Sequence, residues 1–90
     1  MKYPKEYLDE IKTRLKVSTV VSKSVNLKKR GKEFVGLSPF KTEKTPSFTV
    51  NDEKGFYHCF STAEHGNIFD FIMKTQNLKF GEAVKYLANL

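Results

Sequence analysis

The sequence predicts an α+β fold, a small antiparallel sheet of about four strands with helices at its N-terminal and C-terminal ends. Two observations predict it. Apolar residues recur at helical spacing toward either end of the chain, as Leu8, Ile11 and Leu15 and again as Ile68, Phe71 and Ile72. Between them, short β-branched and aromatic runs are separated by turns containing Gly31 and Gly55, the pattern of successive hairpins.

Taken in order, Pro4 sets the first turn of a helix over about Pro4 to Leu15, and Glu6 sits where the helix dipole favours an anion. Val17, Val20 and Val21 hold i, i+3, i+4, which gives a short helical segment to about Lys23 in spite of their β-branching. Val25 and Leu27, then Phe34, Val35 and Leu37, flank Lys28-Lys29-Arg30-Gly31-Lys32, so two strands joined by a basic glycine turn are expected. Pro39 and Pro46 bracket a polar loop, because proline removes a ladder donor and holds the preceding residue extended. Phe48 to Val50 makes a strand and Asn51 to Gly55 a turn. Phe56 to Phe60 makes the next strand, with Phe56, His58 and Phe60 on one face and Tyr57 and Cys59 on the other. Asn67 is the N-cap of a helix over Ile68 to Gln76, with Asp70 at its third position. A last helix over about Phe80 to Ala88 carries Phe80, Val84 and Leu87 on one stripe.

The 90 residues, 39% of them hydrophobic, suit one domain with a single modest core. Domains of this size often recruit a disulfide or a metal, and a single cysteine excludes an internal disulfide. No apolar run is long enough to span a bilayer and the N-terminus is charged, so a soluble, cytoplasmic protein with no membrane partner is expected. Sixteen Lys+Arg against ten Asp+Glu leave a charge of +6. That charge favours an anionic partner such as nucleic acid; a surface of solvated lysines is the alternative reading.

Catalysis finds no support in the residues. There is no Ser–His–acid set, no glycine-rich phosphate loop and no carboxylate cluster for magnesium, so this chain alone is read as a non-enzyme. Within Gly36 to Asn67, two tight turns carry Ser38 with Lys41 and Cys59 with Thr62, the spacing of a metal-held ribbon without its residue types. His58 and Cys59 are neighbours on a strand and point to opposite faces, so they cannot both bind one ion without distortion, and low-affinity metal binding through them and water is the remaining alternative. Cys59 reads as a small buried hydrophobe. A stronger pattern is the interleaving of Lys28, Lys29, Arg30, Lys32, Lys41 and Lys44 with Phe34, Phe40, Phe48, Phe56, Tyr57 and Phe60. Single-stranded nucleic acid is held by that combination, cations on phosphates and rings on bases, the latter worth roughly 1–3 kcal/mol per base. About half of the rings are expected in the core.

The run L-K-K-x-G-K-x-F-V-G-L, then x-P-F-x-x-E-K-T-P-S-F, F-Y-H-C-F, H-G-N and I-F-D-F-I-M closely resembles the N-terminal zinc-binding domain of bacterial DNA primase, over Tyr7 to Leu90. The resemblance implies a zinc-ribbon-like sheet followed by helices, single-stranded template DNA as partner, and a separate polymerase domain that makes RNA primers in replication. The chain would then be one domain, residues 1–90, of a longer primase. Where the family carries C-P-F-H and C-F-G-C, this chain has Ser38-Pro39-Phe40-Lys41 and Cys59-Phe60-Ser61-Thr62. Of the four ligand positions Ser38, Lys41, Cys59 and Thr62, only Cys59 keeps its ligand, so no zinc and no other cofactor is expected. Family geometry would bring the four together, with the Lys41 ammonium standing in for the cation; the other reading is a solvated Lys41 and a knuckle held by packing. The residues expected on DNA are Lys29, Arg30, Lys32 and Lys44 for phosphates, and Phe34, Phe48, Tyr57, His58 and Phe60 for stacking or base-edge contact. The alternative function is a zinc-free module that docks on the primase polymerase domain or another replication protein.

Overall fold

Residues 3–90 are described by a computed structural model. Two N-terminal helices, α1 (Lys5–Arg14) and α2 (Val17–Val21), precede the strands β1 (Lys28–Arg30), β2 (Glu33–Gly36), β3 (Phe48–Asn51), β4 (Phe56–Cys59) and β5 (His65–Gly66), and α3 (Ile68–Gln76) and α4 (Phe80–Ala88) close the chain. The sheet order is β1-β2-β3-β4-β5 with every neighbouring pair antiparallel, so each strand pairs with the next in sequence. Among the described residues no helix is long and apolar enough to cross a membrane.

Three details differ from the sequence expectation. The residues read as a basic turn are themselves β1, since Lys28 faces Val35 and Arg30 faces Glu33. Only Gly31 and Lys32 turn, with Gly31 at φ 63°, a conformation that costs glycine little and suits a two-residue hairpin loop. A fifth strand forms because the chain after the Cys59 turn folds back on β4, pairing Tyr57 with Gly66 and His58 with His65. Pro4, expected in the first turn of α1, lies just before it as an extended N-cap (φ −60°, ψ 144°).

The core lies on one face of the sheet. Phe48, Val50, Tyr57 and Cys59 are all 0% exposed and meet Val17, Val20 and Val21 of α2 and Ile68, Phe71 and Ile72 of α3. Phe40, from the loop between β2 and β3, folds back so that its ring lies 6.0–6.5 Å from those of Phe48, Tyr57 and Phe71. Burying each such ring contributes roughly 1.5–3 kcal/mol, which is why this face is closed. α3 begins where expected: Asn67 Oδ1 accepts from the N–H groups of Phe69 (2.9 Å) and Asp70 (3.0 Å), and Asp70 Oδ2 accepts from the Asn67 N–H (2.9 Å). That reciprocal cap holds Asp70 so close to the backbone of β5 that a Cβ on Gly66 would lie 2.6 Å from the Asp70 Cβ. α4 then lies against α3 through Ala83, Val84 and Leu87. The principal helix contacts to the sheet come from α2 and α3 on this inner side, which leaves the outer face to solvent.

Candidate nucleic-acid interface

Strand alternation and register define the outer face. Lys28, Val35, Thr49, His58 and His65 stand opposite one another in a single row across all five strands. Beside it run Arg30, Glu33, Asn51 and Phe56, where the Asn51 side-chain amide donates to Glu33 Oε2 at 3.4 Å. Phe60 follows β4, held by its N–H donating to the Ser47 carbonyl (2.9 Å). Its ring is 67% exposed and stands edge-on to His58, with centroids 4.3 Å apart and planes at 85°. Phe56 is 55% exposed at the other end of the strand. Lys28 and Lys44 both line a groove of about 540 Å³ together with Val35, Leu37 and Pro46, so the cation of the long loop borders this face.

The residues marked in the sequence divide accordingly. Arg30, His58 and Phe60 lie on or beside the outer face, and Lys44 borders it. Lys29 and Phe34 are on the inner side, at its open rim beside α2, where Lys29 Nζ sits 5.2 Å over the Phe34 ring. Lys32 is in the adjoining turn and borders the same hollow. Phe48 and Tyr57 are corrections: both are wholly buried in the aromatic core and present no ring face to a base. Thr49 and His65 carry no mark in the sequence pattern, whereas Lys28 and Phe56 belong to the interleaved cations and rings without being among the residues expected on DNA, and Phe56 shares the face of His58 and Phe60 as alternation predicts.

The two turns that carry the metal-spaced positions meet beneath this face. Cys59 is buried, and its thiol donates to Ser38 Oγ at 3.2 Å. Ser61 Oγ lies 3.3 Å and Ser47 Oγ 3.8 Å from the same sulfur. Ser38 Oγ also accepts the Phe40 N–H at 3.0 Å. The Glu43 carboxylate accepts the N–H groups of Ser38 (2.9 Å) and Ser47 (3.1 Å) and the Ser47 hydroxyl (2.7 Å). Ser47 and Ser61 are hydrogen-bonded to each other at 2.8 Å. The Ser38 N–H, then the Ser47 hydroxyl, hold the Glu43 carboxyl below its ordinary value. Burial pushes the Cys59 thiol up, but its hydrogen bonding with the Ser38, Ser61 and Thr62 side chains outweighs it and brings it down to about 6. Cys59 is thus buried as expected, though among hydroxyls rather than hydrocarbon. Lys41 corrects the idea of an ammonium in the metal position: it is exposed and makes no hydrogen bond or ion pair among the described residues. Its neighbour in space, the knuckle, already has an anion saturated by N–H and O–H donors and no free acceptor cluster to draw a cation inward. Thr62 accepts the Glu64 N–H at 3.3 Å.

A model of the CHC2 zinc finger family matches residues 3–90. The chain belongs to that family. It is 46% identical over 85 residues to the DNA primase of Escherichia coli strain K12, and 45% identical over 84 residues to that of Clostridium acetobutylicum. These alignments cover 94% and 93% of this chain but only 15% and 14% of those proteins. The crystal structure of the Aquifex aeolicus primase, comprising zinc-binding and RNA polymerase domains, superposes with a TM-score of 0.86 at 29% identity, covering 92% of this chain and 21% of that one. Family membership implies zinc, and the donors present do not fit it. A structural zinc takes four sulfur, imidazole or carboxylate ligands. Here one thiol and one carboxylate are surrounded by neutral serine hydroxyls, and no group of three or more His, Cys, Asp or Glu is placed to hold an ion among the described residues.

Proposed function

We propose that this chain is the template-binding domain of a DNA primase, which holds single-stranded DNA across the outer face of its sheet in support of RNA primer synthesis, and which does so without bound zinc. The polymerase that makes the primer belongs to the longer parent protein, of which residues 1–90 form one domain, working in the cytoplasm. The observation that carries the reading is the uncovered outer face itself. On it an exposed Phe60 ring, edge-on to His58, shares the face with the cations Lys28 and Arg30 of β1, and Lys44 borders it. Rings that are exposed yet fixed stack on bases at low entropic cost, and cations around them track phosphates. The primase identity of the relatives supports the choice of template DNA over other nucleic acid.

Fluorescence anisotropy of a labelled oligothymidylate against rising salt tests this. Three phosphate contacts to single-stranded DNA give a slope of log K against log salt of about −2. Absence of binding at low salt, with retained binding to a separately prepared primase polymerase domain, would support the protein-docking module instead.

A further inference from the structure

A zinc ion in this family's spacing would tie the turn at Ser38 to the turn at Cys59, and here the Ser38–Cys59 bond that joins those turns is braced by a residue outside both pairs, Glu43. We infer that the Glu43 carboxylate, acting through Ser38, Ser47 and Ser61, takes over the clamping role of the metal, so that the knuckle closes with no ion. The inference rests on the zinc-free reading above. The polar contacts form a closed circuit, in which the single Ser61 hydroxyl proton goes to Cys59 or to Ser47 at any one time. Glu43 accepts the amide of Ser38 at 2.9 Å, the Ser38 hydroxyl meets the Cys59 thiol at 3.2 Å, and Cys59 meets Ser61 at 3.3 Å. Ser61 meets Ser47 at 2.8 Å, and the Ser47 hydroxyl returns to Glu43 at 2.7 Å. Each turn therefore contributes two links, and the two segments cannot separate without breaking bonds to the carboxylate or to the thiol.

The chemistry suits the task. A carboxylate is acceptor-only, with room for about four hydrogen bonds, and bonds to it are roughly twice as strong as neutral ones. A zinc ion gathers anionic donors around a cation; this circuit gathers N–H and O–H donors around an anion. The sign of the centre is reversed and its connectivity kept. Ser61 closes the side-chain circuit by meeting the Ser47 hydroxyl, beside the backbone bond from the Phe60 N–H to the Ser47 carbonyl, and it stands where the family pattern has the glycine of C-F-G-C. Lys41 takes no part, in keeping with its exposure.

The test uses the 90-residue chain, its Glu43→Ala and Ser61→Gly variants, and a ligand-restored variant carrying Ser38→Cys, Lys41→His and Thr62→Cys together. Metal content is measured by elemental mass spectrometry and Tm with and without EDTA. The unaltered chain is expected to be metal-free with the same Tm in chelator. Glu43→Ala is expected to lower Tm by about 5–15 °C and Ser61→Gly by about 3–8 °C, from the loss of charge-assisted and neutral bonds respectively. In the zinc-loaded, ligand-restored chain, Glu43→Ala should cost less than half as much, because the ion then does the clamping. If Glu43→Ala fails to fold, Ser61→Gly carries the same comparison. An equal loss in both backgrounds, or no loss in the metal-free chain, overturns the inference and leaves the zinc-free reading standing. Stoichiometric zinc with chelator-sensitive melting in the unaltered chain overturns that reading and the inference with it.

Discussion

Phe48 and Phe60 sit on facing ends of adjacent strands, and the difference between them is the difference between fold and function. Phe48 is 0% exposed and stacked on Tyr57 with ring centroids 5.5 Å apart, so Phe48→Ala should cost about 3–5 kcal/mol and leave a chain of this size largely unfolded. Phe60→Ala removes a ring that the core does not use. It is expected to leave the melting curve within about 0.5 kcal/mol of the parent and to weaken single-strand binding by about 1–3 kcal/mol, read by calorimetry and anisotropy on the same sample. Glu43 makes a prediction of another kind. Its carboxyl is held below the ordinary value of 4.5 by the Ser38 N–H and the Ser47 hydroxyl, so its bonds contribute stability above the unfolded-state pKa and lose it as pH falls through the folded-state pKa. Tm should therefore drop on acidification below about pH 4.5, and the drop should be shallower in Glu43→Gln, which has no proton to take up. Identical acid profiles for the two would mean that the carboxylate's charge is not what holds the knuckle.

The elements differ in how far the chain announces them. α3 and α4 lie where periodicity and capping place them, Ile68–Gln76 and Phe80–Ala88, because their determinants are local: an Asn at the cap, an acid three residues on, and an apolar stripe. Asn67→Ala removes the acceptor of two N–H groups and is expected to cost about 1 kcal/mol, visible as a loss of Tm together with fraying of the first turn of α3 in amide exchange. Gly66→Ala should be worse, since the added carbon meets the very aspartate that completes the cap. β1 and β5 are the elements that local pattern does not mark. Lys28–Arg30 carries no apolar residue and His65–Gly66 is a pair, so each becomes a strand only because a neighbour with a buried face offers it a ladder. The knuckle was hidden for a similar reason. Spacing pointed to Ser38, Lys41, Cys59 and Thr62, whereas the bonds run from Glu43 to Ser38 and Ser47 within an irregular loop and on to Ser61. Loop bonds of that kind have no period to reveal them.

At the scale of the whole molecule, a sheet with helices on one side has one wet face, and alternation decides what that face can hold. The sequence showed which residues share a face in β4, with Phe56, His58 and Phe60 opposite Tyr57 and Cys59, but the side that α2 and α3 cover depends on how the helices dock. That docking buried Phe48 and Tyr57 and moved Lys29 and Phe34 to the inner rim, leaving Lys28, Arg30 and Phe60 outside. Two basic surfaces result, and they make opposite predictions for DNA. The decisive measurement compares single-strand affinity across a salt series for the parent chain, an outer-face double variant Lys28→Ala/Arg30→Ala, and an inner-rim double variant Lys29→Ala/Lys32→Ala. The outer-face pair should weaken binding and flatten the slope by about 1.4, two phosphate contacts at about 0.7 each, while the inner-rim pair leaves the slope near that of the parent. A flattened slope for the inner-rim pair, with the outer-face pair unchanged, would contradict the account.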